Sequence, residues 1–247
     1  MPLATVEIGM KSQFGNDEGF SLLELVLVLA IMMTLAALLV LVLGKAKASA
    51  RRTVCVNNLR QINQAVRMYA DDQADRLPEL PVADGDGVWR TYRHLVQGYV
   101  GVKPPASSVD KIFACPADTF SVGFDDQGPI LGEPAHEFGT APDFTSYLFN
   151  GFNKKANRSA PGIAGEHLVA MRRSAKIVLV GEAPAFVGFS WHRPSKALLF
   201  ADALNELSYV DGHVDLARIY WNGSRLESGS ACYYDPPEPY HYTWSPK

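Results

Sequence analysis

The stretch Gly19-Phe20-Ser21-Leu22-Leu23-Glu24 opens an apolar run that continues to Leu43. From Leu22 to Leu43, only Glu24 and Thr34 are polar. A run of this length matches the roughly 20 residues that a helix needs to cross about 30 Å of hydrocarbon. We therefore predict a membrane-spanning helix, and the position of this helix sets the organisation of the rest of the chain.

The boundary between Gly19 and Phe20 is a candidate cleavage site. An ordinary signal peptide has its small-residue cleavage site after an apolar region of about 7–15 residues, whereas Gly19 precedes the apolar run. Cleavage there would keep the helix on the product. A carboxylate inside an apolar segment needs a partner, so we expect Glu24 to pair with the new ammonium group of Phe20, in the same chain or in a neighbour.

The combination of Gly19, Phe20 and Glu24 resembles the N-terminal signature of type IV pilins and type II secretion pseudopilins. The resemblance implies cleavage after Gly19 by a prepilin peptidase, N-methylation of Phe20, and use of Glu24 to register each subunit in a helical filament. It implies four kinds of partner: the peptidase, like subunits, the filament assembly machinery and membrane lipid. The alternative is a plain membrane anchor in which the motif is coincidental.

Two features depart from the pattern of that family. Leaders of that family are usually short and basic, whereas the leader here, residues 1–19, holds three acidic residues and one lysine. A start at Met10 would shorten it to ten residues. A basic cluster follows the span and consists of Lys45, Lys47, Arg51 and Arg52. Because basic residues are enriched on the cytoplasmic side of membrane helices, this cluster alone would place the C-terminal side in the cytoplasm. The processing signature and the large following domain favour the opposite orientation, namely an inner-membrane, single-pass protein with its head in the periplasm or in an extracellular filament.

Beyond the span, apolar residues recur at spacings of four, three, four and three, which places them on one face of a continuing helix. These residues are Cys55, Leu59, Ile62, Val66 and Tyr69. An aspartate cluster ending at Asp75, followed by Pro78, predicts the end of the helix. We expect the apolar stripe to be the surface on which a globular head packs.

From residue 77 onward, short apolar runs are bounded by Gly, Pro and Asp, which indicates a β-rich head. The predicted strands are Ile112–Ala114, Thr145–Phe149, Lys176–Val180, Ala197–Ala201, Leu207–Val210 and His213–Tyr220. A short helix is predicted over Trp89–Tyr99, with Tyr92, Leu95, Val96 and Tyr99 on one side. Asp211-Gly212 predicts a type I′ hairpin turn between the last two strands.

The predicted fold class is therefore α+β, with a long N-terminal helix packed on an antiparallel-sheet head. The predicted segments are a leader (1–19), a transmembrane or filament-core helix (20–43), an amphipathic stem (44–76), a β-rich head (77–231) and a tail rich in proline and aromatic residues (232–247). So many prolines exclude a regular central strand from the tail. It is either an extended arm packed on the head or an exposed contact segment.

The head also resembles a narrower group of pilin-like proteins from planctomycete-type bacteria, which carry a C-terminal motif of His, nine residues and Asp-Gly. The matching phrases are Cys55–Ile62, Phe113–Asp118, Ser146–Gly151 and the region from His192 to Val214. With nine residues between them, His192 is followed by Asp202-Ala203, whereas Asp-Gly stands at Asp211-Gly212. This resemblance supplies no reaction and supports a structural role.

Three cysteines permit one disulfide in an exported domain. Cys55 lies on the packing stripe and Cys115 precedes Pro116, so we expect a Cys55–Cys115 bridge that closes the stem onto the head, with Cys232 free. The alternative is three unpaired thiols buried as small hydrophobic side chains.

No hydrolase elbow, zinc-protease helix, phosphate loop or dinucleotide fingerprint occurs in the sequence, so we predict that the protein is not an enzyme. A formal net charge of -3 gives no support for nucleic-acid binding. No cofactor is expected, apart from a structural Ca²⁺ or Zn²⁺ if separated side chains converge; the candidate ligands are His192, Asp202, Asp211 and His213. The simpler interpretation is that Asp211 forms a turn and His213 lies on a solvated strand.

The function predicted from the sequence is a structural subunit of a type IV pilus-like or type II secretion-like filament. It would be cleaved after Gly19 and assembled through its N-terminal helix. The alternative is a membrane-anchored surface protein that does not polymerise and presents aromatic side chains to a ligand such as a glycan.

Overall fold

Helix α1 spans Leu22–Asp72. The computed structural model of the protein describes residues 21–79, 88–103, 111–125, 128–132, 145–151, 162–192, 201–221 and 234–246. The chain divides into two compact units, residues 1–46 and 47–247. The N-terminal turns of α1 belong to the first unit, and its C-terminal turns belong to the second.

In the first unit, the side chains of α1 from Leu22 to Leu43 are exposed, and all but Glu24 and Thr34 are apolar; the side chain of Leu41 is outside the described ones. Among the described residues, one helix is long and apolar enough to cross a membrane, judged by length and composition, and that helix is α1. Apolar side chains exposed all round a helix require either lipid or another apolar partner. The structure thus provides a helix capable of spanning a membrane at the position predicted from the sequence.

In the second unit, the predicted stripe of α1 packs into the hydrophobic core. Cys55, Leu59, Ile62 and Val66 are fully buried, and Tyr69 is half-buried against the same core. The helix ends at Asp72, and the positive φ angles of Ala74 and Asp75 turn the chain away from the helical path. The periodicity of the stem and the position of its end are both confirmed.

The short predicted helix is present as α2, Val88–Val96, continued by a 3₁₀ turn over Gln97–Val100. Tyr92 and Val96 are buried, and the hydroxyl of Tyr92 donates a hydrogen bond to the backbone oxygen of Tyr147, 3.0 Å away. The predicted apolar side of this helix therefore packs into the core.

Four strands form one antiparallel sheet in the order β3-β4-β5-β6. They are β3 Tyr147–Phe149, β4 Val178–Glu182, β5 Ala203–Tyr209 and β6 Val214–Ile219. A separate hairpin pairs β1 Ser121–Asp125 with β2 Gly128–Gly132, and a short helix, α3 Ala183–Val187, follows β4. The α+β class with an antiparallel-sheet head is confirmed. Residues 197–200 of the predicted strand Ala197–Ala201 lie outside the described residues, and Ala201 is in a turn.

The predicted strand Ile112–Ala114 is wrong, since Lys111–Phe113 forms a 3₁₀ turn. The side-chain amide of Asn58 on α1 donates hydrogen bonds of 3.1 Å to the backbone oxygens of Lys111 and Ala114. A polar side chain from α1 therefore satisfies carbonyl groups that a sheet partner would otherwise bind.

The hairpin between β5 and β6 is confirmed, but its turn differs from the predicted type I′. The backbone N–H of Gly212 donates to the oxygen of Tyr209 at 2.9 Å, and that of Tyr209 donates to the oxygen of His213 at 3.0 Å. Within the three-residue loop 210–212, only Gly212 has a positive φ, of 102°. This is the pattern of a three-residue loop that closes with glycine in the left-handed region. Gly212 alone, and not Asp211, therefore needs that backbone conformation.

The described part of the tail, residues 234–246, packs on the head as an extended arm. Thr243 lies beside the start of β4, where its oxygen accepts a 3.0 Å hydrogen bond from Val178 and its N–H donates 2.8 Å to the oxygen of Lys176. The ring of Trp244 is fully buried and contacts Phe186 of α3, with ring centroids 4.8 Å apart. Of the two interpretations of the tail, the packed arm is the one observed.

Candidate functional site

The candidate processing residues precede α1 in the sequence, and the candidate assembly residue, Glu24, lies in its first turn. Gly19 and Phe20 are outside the described residues, and Ser21 is the first residue described. The Oε2 atom of Glu24 accepts a 3.0 Å hydrogen bond from the backbone N–H of Ser21. The first N–H groups of a helix have no partner within the helix. The carboxylate of Glu24 therefore points toward the beginning of the helix, one residue from the predicted new N-terminus.

The disulfide joins the stem to the head. Cys55 of α1 and Cys115, which follows the 3₁₀ turn, form a bond with an S–S distance of 2.01 Å, and both residues are buried. This is the pairing expected from the sequence. The alternative, in which the cysteines are unpaired thiols, therefore does not hold for Cys55 and Cys115. Cys232 lies outside the described residues.

Beside the disulfide lies a group of charged side chains, Arg52, Glu182, His192 and Glu206, which we call the Glu182 cluster. Glu182 ends β4 and is fully buried. Its Oε1 atom lies 2.8 Å from Nε2 of His192, and its Oε2 atom accepts a 2.9 Å hydrogen bond from the backbone N–H of Glu206. Both oxygens of this buried carboxylate are therefore satisfied, as burial of a charge requires.

The stem supplies the positive charge of the Glu182 cluster. The guanidinium of Arg52 on α1 donates a hydrogen bond to the carboxylate of Glu206, which is almost fully buried. Burial raises the pKa of Glu206, and the bond to Arg52 opposes that shift only in part. Burial lowers the pKa of His192, but the hydrogen bond and the charge of Glu182 outweigh it and hold the pKa above its usual value. His192 and Arg52 are thus the two basic side chains that face the buried carboxylates of Glu182 and Glu206.

The sulfur atoms and the Glu182 cluster share one small volume. Sγ of Cys115 lies 3.6 Å from Oε1 of Glu182. A disulfide sulfur carries no hydrogen, so this is a close contact and not a hydrogen bond. One ligand atom from each of Cys55, Cys115, Glu182 and His192 lies within 4.8 Å of the others. Thiolate, imidazole and carboxylate are the usual ligands of zinc in proteins.

The metal ligands proposed from the sequence do not come together. His192 contacts Glu182, whereas Asp202 accepts a 2.9 Å hydrogen bond from the hydroxyl of Tyr240. Asp211 and His213 pair with each other at the hairpin, with Oδ1 and Nδ1 2.6 Å apart. Although partial burial opposes it, the hydrogen bonds from His213 lower the pKa of Asp211. His192 alone of the four belongs to the group of potential ligands found among the described residues.

Arg52, Glu182 and Glu206 were not predicted from the sequence as members of a site. One local signal was available for Glu182: it directly follows the apolar run Ile177–Val180 and Gly181, and a carboxylate that such a buried strand carries inside needs a partner. Arg52 and Glu206 are 154 residues apart and had no such signal.

A cavity of about 530 Å³ lies between β6 and the tail. Its lining combines three tyrosines with two carboxylates and a guanidinium: Tyr209, Tyr240, Tyr242, Asp202, Asp215 and Arg218. Cavities of this size with a few polar groups are typical of small-molecule sites.

Replacing Arg52 by Met is expected to destabilise the protein by about 1–3 kcal/mol, because it leaves the buried carboxylate of Glu206 without its charged partner. Urea unfolding of the full chain in detergent measures the change. Arg60→Met, an exposed position on the same helix, is the matched control and should have little effect. If the contact is responsible, Glu206→Gln should reduce the cost of Arg52→Met; equal costs in both backgrounds would contradict it.

Comparison of the chain with protein-family models, curated proteins and solved structures finds no match.

Proposed function

We propose that the chain is a structural subunit of a type IV pilus-like or type II secretion-like filament. The observation that carries the proposal is that one helix, Leu22–Asp72, has both of the required surfaces. Its N-terminal turns are apolar and exposed, and its C-terminal turns bury a stripe in a folded head. An exposed apolar helix that continues into a packed stem suits a subunit that moves from lipid into a helical bundle.

Assembly would begin with cleavage after Gly19 by a prepilin peptidase, which exposes the amine of Phe20 for N-methylation. The carboxylate of Glu24, already bonded to the N–H of Ser21, would then neutralise the ammonium group of Phe20 in its own chain or in a neighbour. The apolar turns exchange lipid for equally apolar helices of other subunits, so these contacts alone favour no particular register. The ion pair can therefore select the register of the subunit.

The proposed location is the inner membrane, in a single pass, with the head in the periplasm or in an extracellular filament. The Cys55–Cys115 disulfide supports this orientation, because such bonds persist in oxidising compartments and are rare in the cytoplasm. It outweighs the basic cluster after the span, which by itself favours the reverse topology. The proposed partners are the peptidase, like subunits, the assembly machinery and lipid, and the chain itself performs no catalysis.

Mass spectrometry of the N-terminal peptide, from protein isolated from its native membranes, tests the proposal. We expect a methylated N-terminus at Phe20. Gly19→Val is the control, since a larger residue at the cleavage boundary should retain the leader. An intact leader on the unmodified protein would contradict processing and with it the assembly mechanism.

The cavity beside the tail favours one second function, a membrane-anchored surface protein that binds a ligand without polymerising. Tyrosine rings and nearby carboxylates suit a glycan, whose apolar faces stack on rings and whose hydroxyls bond to charged groups. An uncut leader together with monomeric behaviour in detergent would favour this function over the filament.

A further inference from the structure

We propose that reduction of the Cys55–Cys115 disulfide opens a zinc site made of Cys55, Cys115, Glu182 and His192. This inference does not rest on the filament function. It starts from the four ligand atoms that lie within 4.8 Å of one another. In the oxidised protein both sulfurs are bonded to each other, so the site and the disulfide exclude one another.

The distances suit a tetrahedral ion. Zinc binds sulfur at about 2.3 Å and nitrogen or oxygen at about 2.0–2.2 Å, which places neighbouring ligand atoms about 3.3–3.8 Å apart. Oε1 of Glu182 is 3.6 Å from Sγ of Cys115, within that range, and 2.8 Å from Nε2 of His192, a hydrogen-bonded distance that would widen by about 0.5 Å around an ion. The Cα atoms of Cys55 and Cys115 are 5.2 Å apart. After reduction, rotation of the two cysteine side chains and a small shift of the His192 ring would bring the four ligand atoms onto one ion.

The surroundings hold the ligands in place. The backbone N–H of Glu206 fixes Oε2 of Glu182 at 2.9 Å and leaves Oε1 directed at the sulfur and the imidazole. The backbone N–H of His192 donates a 2.9 Å hydrogen bond to the hydroxyl of Ser190, which fixes the main chain at this ligand. Such outer contacts orient metal ligands. Cys55, Cys115 and Glu182 are buried, and the partly exposed edge of His192 provides the entry path.

The chemistry of the ligand set selects zinc. Thiolate with imidazole in a tetrahedral arrangement favours zinc, whereas Ca²⁺ and Mg²⁺ require oxygen ligands. Four separate segments contribute, namely α1, the turn before Cys115, the end of β4 and the residues after α3. A bound ion would therefore restore, in the reduced protein, the link between stem and head that the disulfide provides in the oxidised protein.

A phosphine, together with water, can reduce the Cys55–Cys115 disulfide to two thiols. The phosphine and one water molecule supply two electrons and two hydrogens; the S–S bond breaks, each sulfur becomes a thiol, and the phosphine becomes its oxide. Zinc then replaces the two thiol protons and the proton between Nε2 of His192 and Glu182; all of them pass to solvent, and the ion binds the neutral imidazole.

The test uses the full chain in detergent, reduced by a phosphine without oxygen, with Co²⁺ as a spectroscopic probe and Zn²⁺ as competitor. We expect one Co²⁺ per reduced chain, with a thiolate charge-transfer band and tetrahedral ligand-field bands, and displacement by one Zn²⁺. The oxidised chain should give neither band. X-ray absorption at the zinc edge should count two sulfur and two nitrogen or oxygen ligands, and this readout needs no variant.

Variants separate the proposed site from two thiols that bind metal incidentally. Cys232→Ser is the matched control and should bind as the unaltered chain does, whereas Cys115→Ser should lose the thiolate band of the site. His192→Asn and Glu182→Gln should each weaken zinc at least tenfold, since removing even an outer partner of a ligand costs roughly 10- to 100-fold. Absence of metal from the reduced chain, loss of binding in Cys232→Ser, or equal affinity in the His192 and Glu182 variants would overturn the proposal.

Discussion

Replacement of Glu24 by Gln is expected to leave cleavage after Gly19 intact but to lower filament assembly by roughly tenfold or more, the scale for breaking an ion pair in apolar surroundings. The amide keeps the size and the hydrogen-bonding oxygen of the carboxylate, so its bond to the N–H of Ser21 can persist. Only the charge is removed. The peptidase reaction does not use that charge in our mechanism, so processing should continue.

Thr34→Val provides the matched control, because Thr34 is the other polar residue of the apolar run. Its hydroxyl donates 2.8 Å to the backbone oxygen of Ile31 and is thus satisfied within the helix. Quantifying sheared filaments against processed subunit in membranes gives the measurement. Normal assembly of the Glu24→Gln chain, or an equal defect in Thr34→Val, would defeat the pairing argument while leaving cleavage as a separate result.

The elements that the sequence predicted best are those whose pattern is local. The stripe from Cys55 to Tyr69 follows the helical period directly, and the structure buries it. The β5–β6 hairpin was found because Asp211-Gly212 separates two apolar runs. The predicted turn type was wrong, because pairing along β5 and β6 sets a strand register in which Val210 belongs to the loop.

The elements that were missed depend on contacts distant in sequence. Ile112–Ala114 has the apolar character of a strand. The side-chain amide of Asn58 instead donates hydrogen bonds to the backbone oxygens of Lys111 and Ala114, and Lys111–Phe113 forms a 3₁₀ turn. The Glu182 cluster likewise forms only when α1 lies against the sheet, since Arg52 meets Glu206 across 154 residues. Periodicity reports which face of an element is buried, and it does not report which charges that burial will pair.

Replacement of Cys115 by Ser is expected to destabilise the head by about 4 kcal/mol, the loop-closure value for a cross-link that spans about 60 residues. The loss should be large here because the bond fixes the stem of α1 to the head. In addition, the serine hydroxyl and the free thiol of Cys55 would be buried beside the carboxylate of Glu182. Urea unfolding of the full chain in detergent, without reductant and without added metal, measures the change.

Cys232→Ser is the control, since it removes a thiol without breaking the bridge, and Cys55→Ser should match Cys115→Ser because both variants open the same loop. Adding a phosphine reductant to the unaltered chain, with a chelator present, should reproduce most of the loss. Adding Zn²⁺ in place of the chelator should then recover part of it, because an ion that binds only the folded state raises the free energy of unfolding. A cysteine variant as stable as the control would show that packing of the stripe, and not the cross-link, holds the stem in the head.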